Sequence, residues 1–146
     1  VANGPTIHAS AVLVGARAVL IRGPAGSGKS RLALALIKAG AMGLFSFTRL
    51  VADDRAHVEA AGGRLLISPP EPLRGLIEIR GLGIRRLPFE PCAVAGQVVD
   101  LAAPDAGRLP QPEAETARID GVALARLAVA AGADPLPLVL AALRTT

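Results

Sequence analysis

Residues 23–30 read GPAGSGKS and could build a cradle for phosphate. Gly23, Pro24, Ala25, Gly26, Ser27, Gly28, Lys29 and Ser30 meet the pattern G-x-x-x-x-G-K-[ST] in full. Glycines allow backbone conformations closed to other residues and let amides approach an anion. The amides of residues 26–30, with the start of a helix, would form a concavity for phosphate oxygens. Lys29 is one of only two lysines among 16 basic residues. Its compact ammonium on a flexible stem suits the β- and γ-phosphates, a task that arginine's planar fork does not reproduce. The Ser30 hydroxyl would ligate Mg²⁺ shared with those phosphates. The expected cofactors are therefore ATP and Mg²⁺, and a glycine-rich turn without a ligand is the alternative.

Phosphoryl transfer also needs carboxylates, and RLVADD supplies Asp53 and Asp54 at the end of an apolar run. Neighbouring strand residues point to opposite sides, so the pair can divide two tasks. One carboxylate would serve the metal shell and the other would act as base toward an incoming hydroxyl. A strand-end turn using Asp for local hydrogen bonds is the competing reading. In IEIRGLGIRR, residues 77–86, Glu78 and Arg80 share a strand face. They read either as a weak surface ion pair or as a metal ligand and a phosphate contact. His8 lies on the first strand, as a structural histidine or as a further member of the site.

These side chains need elements to position them. TIHASAVLVG and RAVLIRG read as two strands joined at residues 15–17. Helical periodicity starts at Lys29 and runs through SRLALALIKAG, with Gly40 as the expected stop. AMGLFSF reads as a loop, open either to a partner or to the domain's own core. TRLVADD is a strand, AHVEAAGGRLLIS a hairpin turning at Gly62-Gly63, GLIEIRGLGIRRL one strand and CAVAGQVVDLA another. Residues 104–117 shift to Pro, Asp, Glu and Gly, an exposed connection. GVALARLAVAAG and PLPLVLAALRT are expected as two short C-terminal helices. The pattern predicts an α/β fold with a mixed sheet. It forms one domain over 1–146, with a core at about 7–102 and a helical tail at about 118–146.

Composition narrows the function. The chain has 146 residues, 51% apolar and 19% charged, so a single globular core is expected. Aromatics make up only 2%, so that core must be aliphatic. Mean hydropathy is +0.47, yet no apolar run reaches the roughly 18 residues of a membrane span. VANGPTIHAS has no signal-peptide pattern. The net charge of +4 suits anionic ligands, but scattered arginines without aromatic neighbours argue against nucleic acid. Cys92 is the only cysteine, which fits a reducing cytoplasm and reads as a small buried hydrophobe.

Together, His8 opening HASAVLVGARAVLIRG, then GPAGSGKS, RLVADD and EIRGLGI, resemble the catalytic domain of the HPr kinase/phosphorylase family over residues 7–87. The resemblance implies a phosphoenolpyruvate-carboxykinase-like P-loop fold and a cytoplasmic protein-serine kinase. Its substrate would be the phosphocarrier HPr or a nitrogen-type paralogue, with phosphorolysis of the phosphoserine as the reverse reaction. Lys29 would contact the transferred phosphate, Ser30 and Glu78 would bind the metal, and Asp54 would be base and, in reverse, acid. Asp53 would position metal or water, and His8 would join the site. The family is usually hexameric, so a homo-oligomer is implied. The family's long form has a separate N-terminal domain that is not expected here, AMGLFSF stands as an insertion against it and the C-terminal part is short; these features resemble the short form of α-proteobacteria. GRLP at Arg108 corresponds weakly to a catalytic arginine segment. Two rival readings are a P-loop kinase for a small metabolite and a nucleotide-sensing module without transfer chemistry.

Overall fold

A computed structural model describes residues 4–144. In chain order it has β1 (Thr6–Ile7), β2 (Ala9–Val14), β3 (Arg17–Arg22), α1 (Lys29–Ala41) and β4 (Thr48–Ala52). β5 (Ala56–Ala61), β6 (Arg64–Ser68), β7 (Leu76–Ile79), β8 (Gly83–Arg86) and β9 (Ala93–Asp100) follow. The chain closes with β10 (Thr116–Ile119), β11 (Val122–Ala128) and α2 (Pro135–Arg144). The main sheet runs β1-β5-β6-β9-β3-β2-β4, with β11 also on β9 and β10 on β11, while β7 and β8 form a separate hairpin.

Strand direction decides where chemistry can gather. β2 is antiparallel to both β3 and β4, whereas β9 runs parallel to β3 and β11 parallel to β9. The carboxyl ends of β3, β4, β9 and β11 therefore share one edge with the amino end of β2. The pairings Ala9 with Arg22, Arg22 with Asp100 and Asp100 with Ala128 trace that edge. In open α/β sheets, ligands bind beyond such ends.

β3 is apolar on both faces because both are covered. Ala18 and Leu20 pack with Leu65, Ile67 and Ala117 on one side. Val19 and Ile21 pack with Leu32 and Leu36 of α1 and Val139 of α2 on the other. The fully buried side chains include no aromatic ring, as composition requires. Among the described residues no helix is long and apolar enough to cross a membrane.

Several expected elements differ. TIHASAVLVG breaks at His8, because β1 pairs with β5 while β2 joins β3 and β4. Gly40 lies within α1 rather than ending it. Any Cβ there would collide with the Thr48 side chain, so its role is close packing. GLIEIRGLGIRRL is the β7–β8 hairpin, Glu78 opposite Ile84, and not a single strand. GVALARLAVAAG is not a helix. Its start, Asp120-Gly121, has the positive φ values (48° and 80°) of a tight hairpin turn, and β11 then pairs with β10 and β9. Only the last of the two expected C-terminal helices forms. Cys92 is exposed, in the bend after Pro91, and not a buried hydrophobe. Ala41 of AMGLFSF ends α1 and the rest is a loop; Met42 and Leu44 are exposed, while Phe45 packs on the α1 side of the core.

One ion cluster binds the shared edge. Arg22 donates from Nε and Nη2 to the two Asp100 oxygens at 2.7 and 2.8 Å, and Arg126 Nε donates to Asp100 Oδ2 at 2.6 Å. Arg126 also reaches both oxygens of Asp105, at 2.8 and 3.0 Å. β3, β9 and β11 are thus tied together directly below the loop that starts at Gly23. Burial alone would raise the Asp100 pKa, but the hydrogen bonds and charges of Arg22 and Arg126 hold it below the ordinary carboxylate value. Asp100→Asn should cost about 2 kcal/mol of stability at neutral pH. A depressed folded-state pKa stabilises above the unfolded value of about 3.9. Denaturant melts across pH should therefore show the gap between wild type and D100N closing as pH falls through the lower, folded-state pKa. A gap unchanged by acid would contradict this role for Asp100.

Candidate active site

The loop between β3 and α1 is shaped for an anion. At Gly23 a Cβ would fall 2.5 Å from Ser27 Oγ and 3.1 Å from Leu101 Cβ, so the chain can turn there only without a side chain. Gly28 caps α1 in the left-handed region, at φ 101°. No side chain caps that helix and its first turn holds no acidic residue. The first amides of α1 consequently keep their donors for an outside acceptor. Lys29 is buried, and its Nζ donates to the carbonyls of Gly23 (2.9 Å) and Pro24 (3.2 Å). An ammonium has three protons, so the lysine closes the loop and retains one for an anion. The second lysine, Lys38, sits in the last turn of α1, where a cation suits the helix dipole.

A cleft of about 510 Å³ opens over residues 25–30, walled by His8, Asp54, Glu78 and Arg80. The two neighbouring carboxylates diverge. Asp53 turns inward, only 7% exposed. It accepts from Ser10 Oγ at 2.8 Å, from Ser30 Oγ at 2.7 Å and from the Glu78 amide at 3.2 Å. Asp54 turns outward in a left-handed conformation, φ 69°. Its amide donates to Ser10 Oγ at 3.1 Å, and its Oδ1 accepts from His8 Nε2 at 2.6 Å. Glu78 and Arg80 both line the cleft, but no ion pair joins them among the described residues. The expected shared strand face is also absent, because Arg80 already lies in the turn after β7. Arg108 lies on the exposed 104–111 connection and does not line the cleft.

Ser10 was not singled out in the sequence, yet it holds the Asp53 carboxylate and the Asp54 backbone amide. A lone hydroxyl within the apolar ASAVLV strand was the available signal. Among the described residues no group of three or more His, Cys, Asp or Glu could hold a metal alone. Ser30 and Asp53, in hydrogen-bond contact, nevertheless fit Mg²⁺, which takes one or two protein ligands and fills its shell with phosphate and water.

A phosphate loop between strand and helix, with carboxylates beyond the next parallel strand, defines this as a P-loop-type α/β domain. Residues 1–87 match the HPr Serine kinase C-terminal domain family. The chain belongs to that family. An HPr kinase/phosphorylase of Exiguobacterium sp. is 48% identical over 67 residues, which are 45% of this chain and 19% of the relative. That of Clostridium tetani is 42% identical over 82 residues, 56% of this chain and 25% of the relative. The chain thus spans about a quarter or less of these curated relatives. A solved structure described as the Hpr(Ser) kinase/phosphatase from Coxiella burnetii superposes with a TM-score of 0.76 at 26% identity. That superposition covers 97% of this chain and 95% of the other.

Ser10→Ala should leave Asp53 one donor short and the Asp54 amide without its acceptor. A loss of about 1–2 kcal/mol in denaturant melts is expected. Wild-type stability in this variant would show that Ser10 is not the clamp.

Proposed function

We propose that this domain catalyses Mg·ATP-dependent phosphorylation of a serine on HPr, or on a nitrogen-type paralogue, and the phosphorolytic reverse reaction. The reading rests on one observation above all. The phosphate loop and the His8–Asp54 pair face each other across one cleft, along one sheet edge. Family membership and the names of the relatives support it further.

In the forward direction Lys29 and the amides of residues 26–30 hold the β- and γ-phosphates. Ser30 and Asp53 would hold Mg²⁺, with Glu78 as a further ligand, and the bound ion would supply positive charge to the phosphate oxygens. The substrate serine enters beside Asp54, whose free carboxylate oxygen takes its proton. The serine oxygen bonds to the γ-phosphorus while the bond to the β-phosphate oxygen breaks and ADP leaves. His8 fixes the rotamer of Asp54 by holding Oδ1. Arg80, exposed at the cleft rim, offsets the charge of the transferring group. In reverse, inorganic phosphate attacks the phosphoserine, pyrophosphate forms, and Asp54 returns the proton to the serine oxygen. The same reading takes in a cytoplasmic location and assembly into a homo-oligomer.

Lys29→Ala should reduce transfer by at least about a thousandfold, read as phosphoserine formed on HPr. Substantial turnover would refute the assignment. Asp54→Asn should fold and bind ATP yet fail to transfer phosphate, because an amide cannot accept the proton. Normal turnover there would move the base elsewhere.

A further inference from the structure

The loop between α1 and β4 gathers side chains that are scarce in the rest of the chain. The single methionine and two of the three phenylalanines fall within residues 42–47. Phe45 anchors the loop on the core, but Met42 is 79%, Leu44 44% and Phe47 39% exposed. Arg144 of α2 fixes its path, donating from Nη1 to the Leu44 carbonyl at 2.8 Å. Gly15 N–H donates to the Phe47 carbonyl at 2.8 Å, so the β2–β3 turn joins the same edge. Cations surround these apolar groups. Lys38 is exposed one helical turn before Met42, and Arg17 is exposed at the start of β3. The Arg49 guanidinium lies 4.9 Å from the centre of the Phe47 ring. No acidic residue falls between Lys38 and Arg49. Among the described residues, Glu90, 3.8 Å from Arg49, is the one carboxylate paired with any of these cations.

β3 and β4 begin here, so this is the edge opposite the cleft. The 13 residues of α1 separate the two by about 20 Å. Met42 stands as a tip and not as the wall of a groove. A protein partner would have to supply a groove of matching shape. A bilayer needs none: apolar side chains enter the acyl boundary while cations stay among anionic headgroups. Arg49 over Phe47 suits that boundary, with the ring apolar and the charge held at the polar level. A second copy of the same face would set cation against cation. We infer that residues 42–47 dock this domain peripherally on an anionic phospholipid surface. Met42, Leu44 and Phe47 enter it, and Arg17, Lys38, Arg49 and Arg144 meet the headgroups. The cleft, at the far end of α1, then stays open to solvent. This docking does not depend on the transfer reaction proposed above.

Vesicle sedimentation of the full chain at physiological salt tests this. Vesicles of phosphatidylglycerol and phosphatidylcholine in equal parts should carry the wild type down. Pure phosphatidylcholine should bind it at least about tenfold more weakly. Met42→Ser with Leu44→Ser should keep its thermal melt, since both side chains are exposed. That double variant retains every cation, yet its partition onto the mixed vesicles should fall at least about tenfold. Lys38→Gln should lose about fivefold. A wild type left in the supernatant would overturn the docking site, as would equal binding to both vesicles or a double variant that binds like wild type. Velocity sedimentation without lipid checks the other occupant. A wild-type oligomer that the double variant breaks would give this face to a second copy and overturn the lipid assignment.

Discussion

A carboxylate taken out of water must find donors, and two such groups bracket the phosphate loop. Asp100, with 15% of its side chain exposed, is answered by Arg22 and Arg126. Asp53, on the other side, is answered by Ser10, Ser30 and the Glu78 amide. Uncompensated, each would cost more than any single packing contact here can return. These pairings therefore fix the strand ends relative to α1, and the loop between them has little freedom. The loop's own closure, Lys29 onto the Gly23 and Pro24 carbonyls, is built on that frame.

Topology gives the frame its use. A single antiparallel strand, β2, is inserted between β3 and β4, so its beginning meets their ends. His8 and Ser10 arrive at the edge from that beginning, while Asp53 and Asp54 arrive from the end of β4. The carboxylate held inward shares its hydrogen bonds with Ser30, and the one held outward shares its bond with His8. Two adjacent residues thereby acquire different surroundings without any gap in sequence. The β7–β8 hairpin adds Glu78 and Arg80 from outside the main sheet; the Glu78 amide ties it to Asp53 and Ile77 packs in the core beside α1.

Much of this arrangement was legible in the sequence. GPAGSGKS fixed the loop, since glycine and lysine positions there answer to local geometry. RLVADD, the Gly62-Gly63 hairpin and α1 follow from periodicity and turn chemistry. Other features depended on partners distant in the chain. Ala-rich GVALARLAVAAG looks helical by itself, but parallel pairing with β9 and the Asp120-Gly121 turn make it a strand. Gly40 resembles a stop until Thr48 is seen against it. Ser10 looks like any strand serine until the Asp53 carboxylate lies beside it. The family match covers residues 1–87; beyond it CAVAGQVVDLA reads as the strand that β9 is, whereas the parallel seat of β11 on β9 is visible only once folded.

The central claim is that phosphates bind to the main chain at the start of α1, between the two bracketing carboxylates. Amide proton–nitrogen spectra of the labelled chain, recorded as Mg·ATP is added, test this most directly. The amides of residues 26–30 should move together and saturate at one equivalent. Resonances there that stay fixed while others elsewhere shift would contradict the account.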